Sequence, residues 1–432
     1  MLLKISEKIF LENQNWLKNS SLNLFGIYFF TAGIYQIPSF EIDLGTALLV
    51  KRAIFLVALV LMTACVSWHS FVVKKILKIF ATWLLFLILN FFVHGNFTEV
   101  AFKVLQSTSV LIIVCFFMQN LCYAKQFFEN SNFFFPIFVF FVVLIILSFP
   151  FSEDVNSSVE KGFGGNRVNF SIWLSQCTVL FSVFWYFGKL PLFKNSNRNI
   201  LCYVIYIFPI VLLQIASGGR LGILTSLIVI AVTVFYKFKS RFVILFSIMT
   251  ASTSILYLFY FFSTLGADYG GSKHLFRGVA EFVKIRDLSQ SNTDFYFNFL
   301  DFVVSYRLTL FVEGLRAFDL KMFLLGVGFG NFLVQNFEGY LQQVHNVFLN
   351  SLGEVGIFGF LLLCFIILFP FFTLPKSENT KIIKVGLGVW FIQGFFQPEF
   401  FYSQIGSSIC YWVIFACALR SIFKVSEKDY KF

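Results

Sequence analysis

The chain reads as an all-α integral membrane protein of about twelve transmembrane helices, with one long outer loop carrying short amphipathic helices. Three observations predict this. Hydrophobic residues make up 58% of the chain and charged residues only 13%, about half the charged share of a soluble domain. The apolar residues gather into runs, most of about 16–28 residues, which is bilayer-spanning length. The basic residues sort between alternate loops, as the positive-inside rule requires of a multipass chain.

Residues 1–20 are polar and lack a small-residue cleavage site, so no cleavable signal peptide is expected. Spans follow near 22–40, 53–68, 76–94, 104–122, 133–150, 169–188, 199–216, 221–236 and 242–262, and again near 346–373, 385–398 and 404–420. These divide the chain into nine N-terminal helices (1–262), a loop region (263–345), and three C-terminal helices with a tail (346–432). With the N-terminus in the cytoplasm, 20 of the 33 Lys and Arg residues fall on cytoplasmic segments. Only Lys51, Arg52, Lys103, Lys161, Arg167 and Arg220 fall in short outer loops. That bias places both termini in the cytoplasm. The net charge of +11 is then a topology signal rather than a nucleic-acid patch. The 8 Cys residues lie in or beside apolar runs without metal-ligand spacing, and read as buried free thiols.

The loop region is the one place with room for an extramembrane unit, and loops of that length are usually functional or disordered. Its stretch 295–325 mixes Phe, Leu and Val with spaced charges. This predicts amphipathic helices on the membrane face, the last over about 306–318. The glycines at 266, 270 and 271 and the segment 288–293 read as flexible turns.

The loop ends in Gly326-Val-Gly-Phe-Gly-Asn-Phe332, then His345-Asn346, then Leu352-Gly-Glu-Val-Gly-Ile-Phe-Gly359. A His thus stands where water meets membrane, and boundary ionisable groups are functional candidates. His345 and Gly356 are eleven residues apart, about 1100° of helix, so they are expected to share one face. A second helix is expected to pack closely on that stripe. The glycine run has no βα context and reads as a tight turn rather than a nucleotide loop.

Glu354 is the only carboxylate within the expected spans, which argues against an ion-coupled transporter. It reads as a buried hydrogen-bond partner or, alternatively, a catalyst. The outer side instead carries Arg220 after Ser217-Gly-Gly, Arg307 in Ser305-Tyr-Arg-Leu, and Arg277, Arg286 and Arg316. Arg holds phosphate with paired N–H donors, and a helix start such as that at Arg220 attracts anions. Several Arg around one His suggest a site for an anionic, membrane-bound substrate. Each also has an ordinary reading: Arg220 as a snorkelling helix end, Arg307 as a solvated charge, His345 as an interfacial helix start. His69, His94 and His274 have no ligand-like spacing, so no metal is proposed.

These residues carry a resemblance. Arg220-Leu-Gly-Ile-Leu224 resembles the Arg-x3-Leu motif of bacterial O-antigen ligases, and His345 through Gly356 resembles their His-x10-Gly motif. Arg307-Leu-Thr-Leu-Phe followed by Phe323-Leu-Leu-Gly-Val-Gly-Phe-Gly-Asn-Phe332 is similar to the loop and turn preceding that His in the O-antigen ligase and polymerase superfamily. The chain departs where the family often has Pro before the turn; here the residues are Met322-Phe-Leu-Leu.

The resemblance implies a GT-C-type membrane glycosyltransferase of the bacterial inner membrane, working at its periplasmic face without a cofactor. The donor would be a glycan on undecaprenyl diphosphate. The acceptor would be a lipid A–core sugar for a ligase, or another lipid-linked repeat unit for a polymerase. His345 would orient or deprotonate the acceptor hydroxyl. Arg220 and Arg307 would hold the diphosphate, while Leu224, Glu354 and Gly356 would support the site. A lipid-linked glycan flippase is the alternative from a different class; it should line a central cavity with charge from several helices.

Overall fold

The computed structural model describes residues 2–31, 44–130, 167–186, 199–217, 220–238, 307–335, 341–344, 346–394 and 405–423. Among them, twelve helices and one small hairpin form. The helices before the long loop are α1 (Leu2–Thr31), α2 (Leu44–Ala64), α3 (Phe71–His94), α4 (Phe97–Asn130), α5 (Arg167–Tyr186), α6 (Asn199–Ser217) and α7 (Arg220–Phe238). At and after the end of that loop come α8 (Arg307–Arg316), α9 (Leu320–Leu325), strands β1 (Leu333–Gln335) and β2 (Leu341–Gln343), α10 (Val347–Thr373), α11 (Glu378–Gly394) and α12 (Ile405–Ile422). The spans expected near 133–150 and 242–262 lie outside the described residues.

Several boundaries move for physical reasons. Helix α1 starts well before its expected span. Its early turns hold Lys, Glu, Leu and Gln, straight-chain residues that lose little rotamer freedom in a helix. Helix α2 begins at Leu44, so Lys51 and Arg52 sit within it rather than in a loop. Helices α3 and α4 are separated by only Gly95 and Asn96. Gly95 adopts φ 71°, and its N–H closes on the Phe91 carbonyl at 2.7 Å. Such a left-handed cap ends one helix and lets the next start at once. Lys103 therefore lies inside α4, not in an outer loop.

Among the described residues, α3, the Phe97–Asn120 part of α4, and α10 are long and apolar enough to cross a membrane. Shorter apolar stretches lie within α5, α6, α7 and α12. On the outward faces of α3 and α10, Phe71, Phe92, Phe358 and Phe372 are each at least 66% exposed. Water does not tolerate apolar faces of that extent; lipid does. The chain is an integral membrane protein.

One large core joins α1–α7 with α10, α11 and α12. Aromatic pairs staple neighbours within it: Trp185 on Tyr203 (centroids 4.2 Å apart) and Trp390 on Tyr411 (3.9 Å). A smaller core of Leu310, Phe332, Val334, Val344 and Leu349 unites α8, the hairpin and the start of α10.

Candidate active site at the entrance to helix α10

The local sequence builds this region around a helix that breaks. Helix α10 starts where the Asn346 Oδ1 accepts the Leu349 N–H at 2.9 Å, an ordinary N-cap. It departs from helical geometry at Gly356, which adopts φ 68°, ψ −179°. Gly326, at the end of α9, adopts nearly the same conformation, φ 74°, ψ −174°. Only glycine occupies that part of backbone space without strain. The two glycines meet face to face. A Cβ on Gly326 would fall on the Glu354 carbonyl oxygen and 2.7 Å from the Gly356 nitrogen; one on Gly356 would fall on the Leu324 carbonyl oxygen and 2.8 Å from the Gly326 nitrogen. The carbonyls just before the break accept from the turn: Val327 N–H to Gly353 at 2.9 Å and Gly328 N–H to Glu354 at 3.0 Å.

One expectation is corrected here and another is borne out. His345 and Gly356 do not lie along one continuous helix, because α10 begins at Val347 and is interrupted at Gly356. A second helix does pack closely there: Leu324 of α9 and its cap residue Gly326 lie against Gly356, and Phe86 of α3 lies against Gly359. The tight turn itself forms as the sequence suggests, with positive φ at Gly326, Gly328 and Gly330.

The turn is clasped from its other side by the α3–α4 corner. Asn96 Nδ2 donates to the Phe329 carbonyl at 3.1 Å, and His94 Nε2 lies 3.2 Å from the Leu325 carbonyl. The Lys103 ammonium sits 6.0 Å from the Phe329 ring centre. Glu354 is buried, and its Oε1 accepts the Gly330 N–H at 3.0 Å. Beyond the turn, the Phe332 ring lies directly on Gly353. The chain then forms β1 and β2, paired antiparallel with Leu333 opposite Gln343, and runs through Val344 towards His345.

The structure places each site residue predicted from sequence as follows. Arg220 opens α7 and Arg307 opens α8; their side chains, and His345 as a whole, lie outside the described residues. Their elements nonetheless converge. Leu310, one turn beyond Arg307, shares the small core with Val344, which immediately precedes His345. A Cβ on Gly314 of α8 would stand only 2.8 Å from Leu349 and 2.9 Å from Val344. The end of α11 links the other two starts. Its Gln393 Nε2 donates to the Thr225 hydroxyl of α7 at 3.1 Å, and its next residue, Gly394, packs closely on Val347 of α10. Leu224 is more than half exposed. Arg316 pairs with Glu313 at 2.6 Å on the exposed surface of α8, where an ion pair contributes little. Arg277 and Arg286 lie outside the described residues.

Sequence reasoning missed the α3–α4 contribution and the polar bed beneath α7. In that bed, Gln214 Nε2 donates to the Ser171 and Gly222 carbonyls and to the Ser226 hydroxyl (3.3, 3.1 and 2.8 Å), joining α5, α6 and α7. Polar bonds of this kind glue helices where lipid supplies no hydrophobic drive. Gly95-Asn96 was the available signal for the corner: a turn pair there puts Lys103 inside a helix.

A family model described as O-antigen ligase matches residues 205–364. The match runs from within α6 to the second half of α10 and contains Arg220, Arg307 and the His345–Gly356 stretch. The resemblance to the O-antigen ligase and polymerase superfamily is thereby shown over that stretch. A comparison with curated proteins found no match.

Proposed function

We propose that the protein is a periplasmic-face glycosyltransferase that moves an O-antigen glycan from undecaprenyl diphosphate to a lipid A–core sugar. The observation that carries this reading is the convergence of the α7, α8 and α10 starts, each adjoining one of Arg220, Arg307 and His345. The family match over the same residues supports it.

In the proposed reaction the acceptor hydroxyl oxygen attacks the anomeric carbon of the donor sugar. The bond from that carbon to the diphosphate oxygen breaks, and undecaprenyl diphosphate leaves. His345 takes the hydroxyl proton, a task suited to an imidazole that titrates near neutral pH. Arg220 and Arg307 hold the diphosphate with paired donors and stabilise the charge it gains on leaving. Cleavage of the donor's own linkage drives transfer, so no nucleotide is needed. The reading includes twelve spans, both termini in the cytoplasm and the 263–345 region in the periplasm, as the distribution of basic residues favours.

Lipopolysaccharide from a deletion strain tests the reading on a gel. A ligase deletion should leave bare lipid A–core while lipid-linked polymer accumulates. Core bearing a single repeat would instead identify a polymerase. Normal long-chain lipopolysaccharide would contradict both.

A further inference from the structure

Among the described residues, the charged side chains that are buried are Lys103 and Glu354, 7% and 2% exposed. They come from different helices, α4 and α10, and both face the glycine turn, Glu354 at Gly328 and Gly330 and Lys103 at Phe329. Glu354 holds the turn twice, through its carbonyl at the Gly328 N–H and through Oε1 at the Gly330 N–H, each at 3.0 Å. Lys103 faces the fully buried Phe329 ring between those two amides. A buried charge in a membrane protein is tolerated when opposite charge and hydrogen bonds surround it. Here one charge of each sign flanks one turn. The turn leads through Phe332, seated on Gly353, and the hairpin to Val344 and the position of His345.

We propose that Lys103 and Glu354 act as one positioning unit, fixing the glycine turn and, through it, the approach of the chain to His345. The effect on rate rests on the transferase reading; the effect on the turn does not. Proton transfer needs the base within hydrogen-bond reach of the acceptor hydroxyl, and small misplacements are expensive in rate. Loosening the turn should therefore slow catalysis without weakening donor binding.

The test uses the full chain in lipid nanodiscs. Glu354→Gln removes the charge but keeps an acceptor oxygen. Lys103→Met removes the charge but keeps chain length. The third variant combines both. Amide hydrogen exchange over 326–344 is measured together with kcat and KM for lipid-linked donor. Each single variant should exchange faster across the turn and lose about tenfold in kcat, with donor KM nearly unchanged. The double variant should recover part of both, because residues that act through one shared backbone segment couple by amounts of that order. Wild-type exchange in both single variants, or losses that simply multiply in the double, would overturn the proposal. If Glu354→Gln alone does not insert, recovery of folded protein in the double is the expected result. Failure of the double beside a folded Lys103→Met would overturn the pairing. A wild-type protein that transfers no glycan would instead sink the transferase reading and leave the exchange comparison to decide this one.

Discussion

Gly326 and Gly356 meet where neither admits a side chain, and each holds a backbone conformation reserved for glycine. Gly356→Ala should therefore destabilise the protein by about 1–3 kcal/mol from backbone strain alone, with more from the clash against the Leu324 carbonyl. Thermal unfolding of the purified protein in detergent measures this; an unchanged midpoint would mean that the interlock yields without resistance. A second residue-scale prediction concerns the cations. Arg220→Ala and Arg307→Ala should each reduce transfer strongly while the protein still inserts, and Arg→Lys should recover only part, because Lys keeps the charge but loses the paired donors. Full activity of Arg220→Ala in a reconstituted transfer assay would make that residue a snorkelling helix end. The glycine turn was legible in the sequence because three alternate glycines have few other uses beside an apolar helix. Its partner was not. Helical arithmetic from His345 to Gly356 assumes an unbroken helix, and the break at Gly356 depends on the contact it makes with Gly326, thirty residues earlier.

At the scale of elements, the join of α8 to the hairpin decides how the loop region meets the membrane helices. Helix α8 was legible in 306–318 because its apolar residues recur at helical spacing; Leu310 now sits in the small core, while Arg316 faces out. The hairpin was not legible, since strands of three residues carry too little alternation to distinguish them from loop. Gly314 is a point of close contact, with Val344 and Leu349 directly against it. Gly314→Val should overpack this join, at a cost of about 1–3 kcal/mol. The β1 and β2 amides should then exchange faster and transfer should fall. Unaltered exchange would show that α8 and the hairpin are held by other contacts. The α3–α4 corner was hidden for a different reason: it reaches the turn from more than two hundred residues away, and no local pattern encodes such a meeting.

For the whole molecule, composition alone established a helical membrane protein, because so apolar a chain has no water-soluble way to cover its faces. Charge distribution predicts an orientation. A reporter active only in the periplasm should work when fused near Asn292 and fail near Lys239 or after Lys428; the reverse pattern would move His345 to the cytoplasm and remove the proposed chemistry. The residues of the proposed site need the assembled molecule. Arg220, Arg307 and His345 are far apart in sequence, and only the packing of α7, α8, α10 and α11 draws their elements together. The central claim is that His345 handles the acceptor proton while the Arg residues hold the donor. The most direct measurement is single-turnover transfer from lipid-linked glycan by purified wild-type and His345→Ala protein, with donor binding followed in parallel. The account predicts a loss of about 10²–10⁴-fold in rate, the usual size of acid–base catalysis, with donor binding retained. Near-normal turnover by His345→Ala would contradict it.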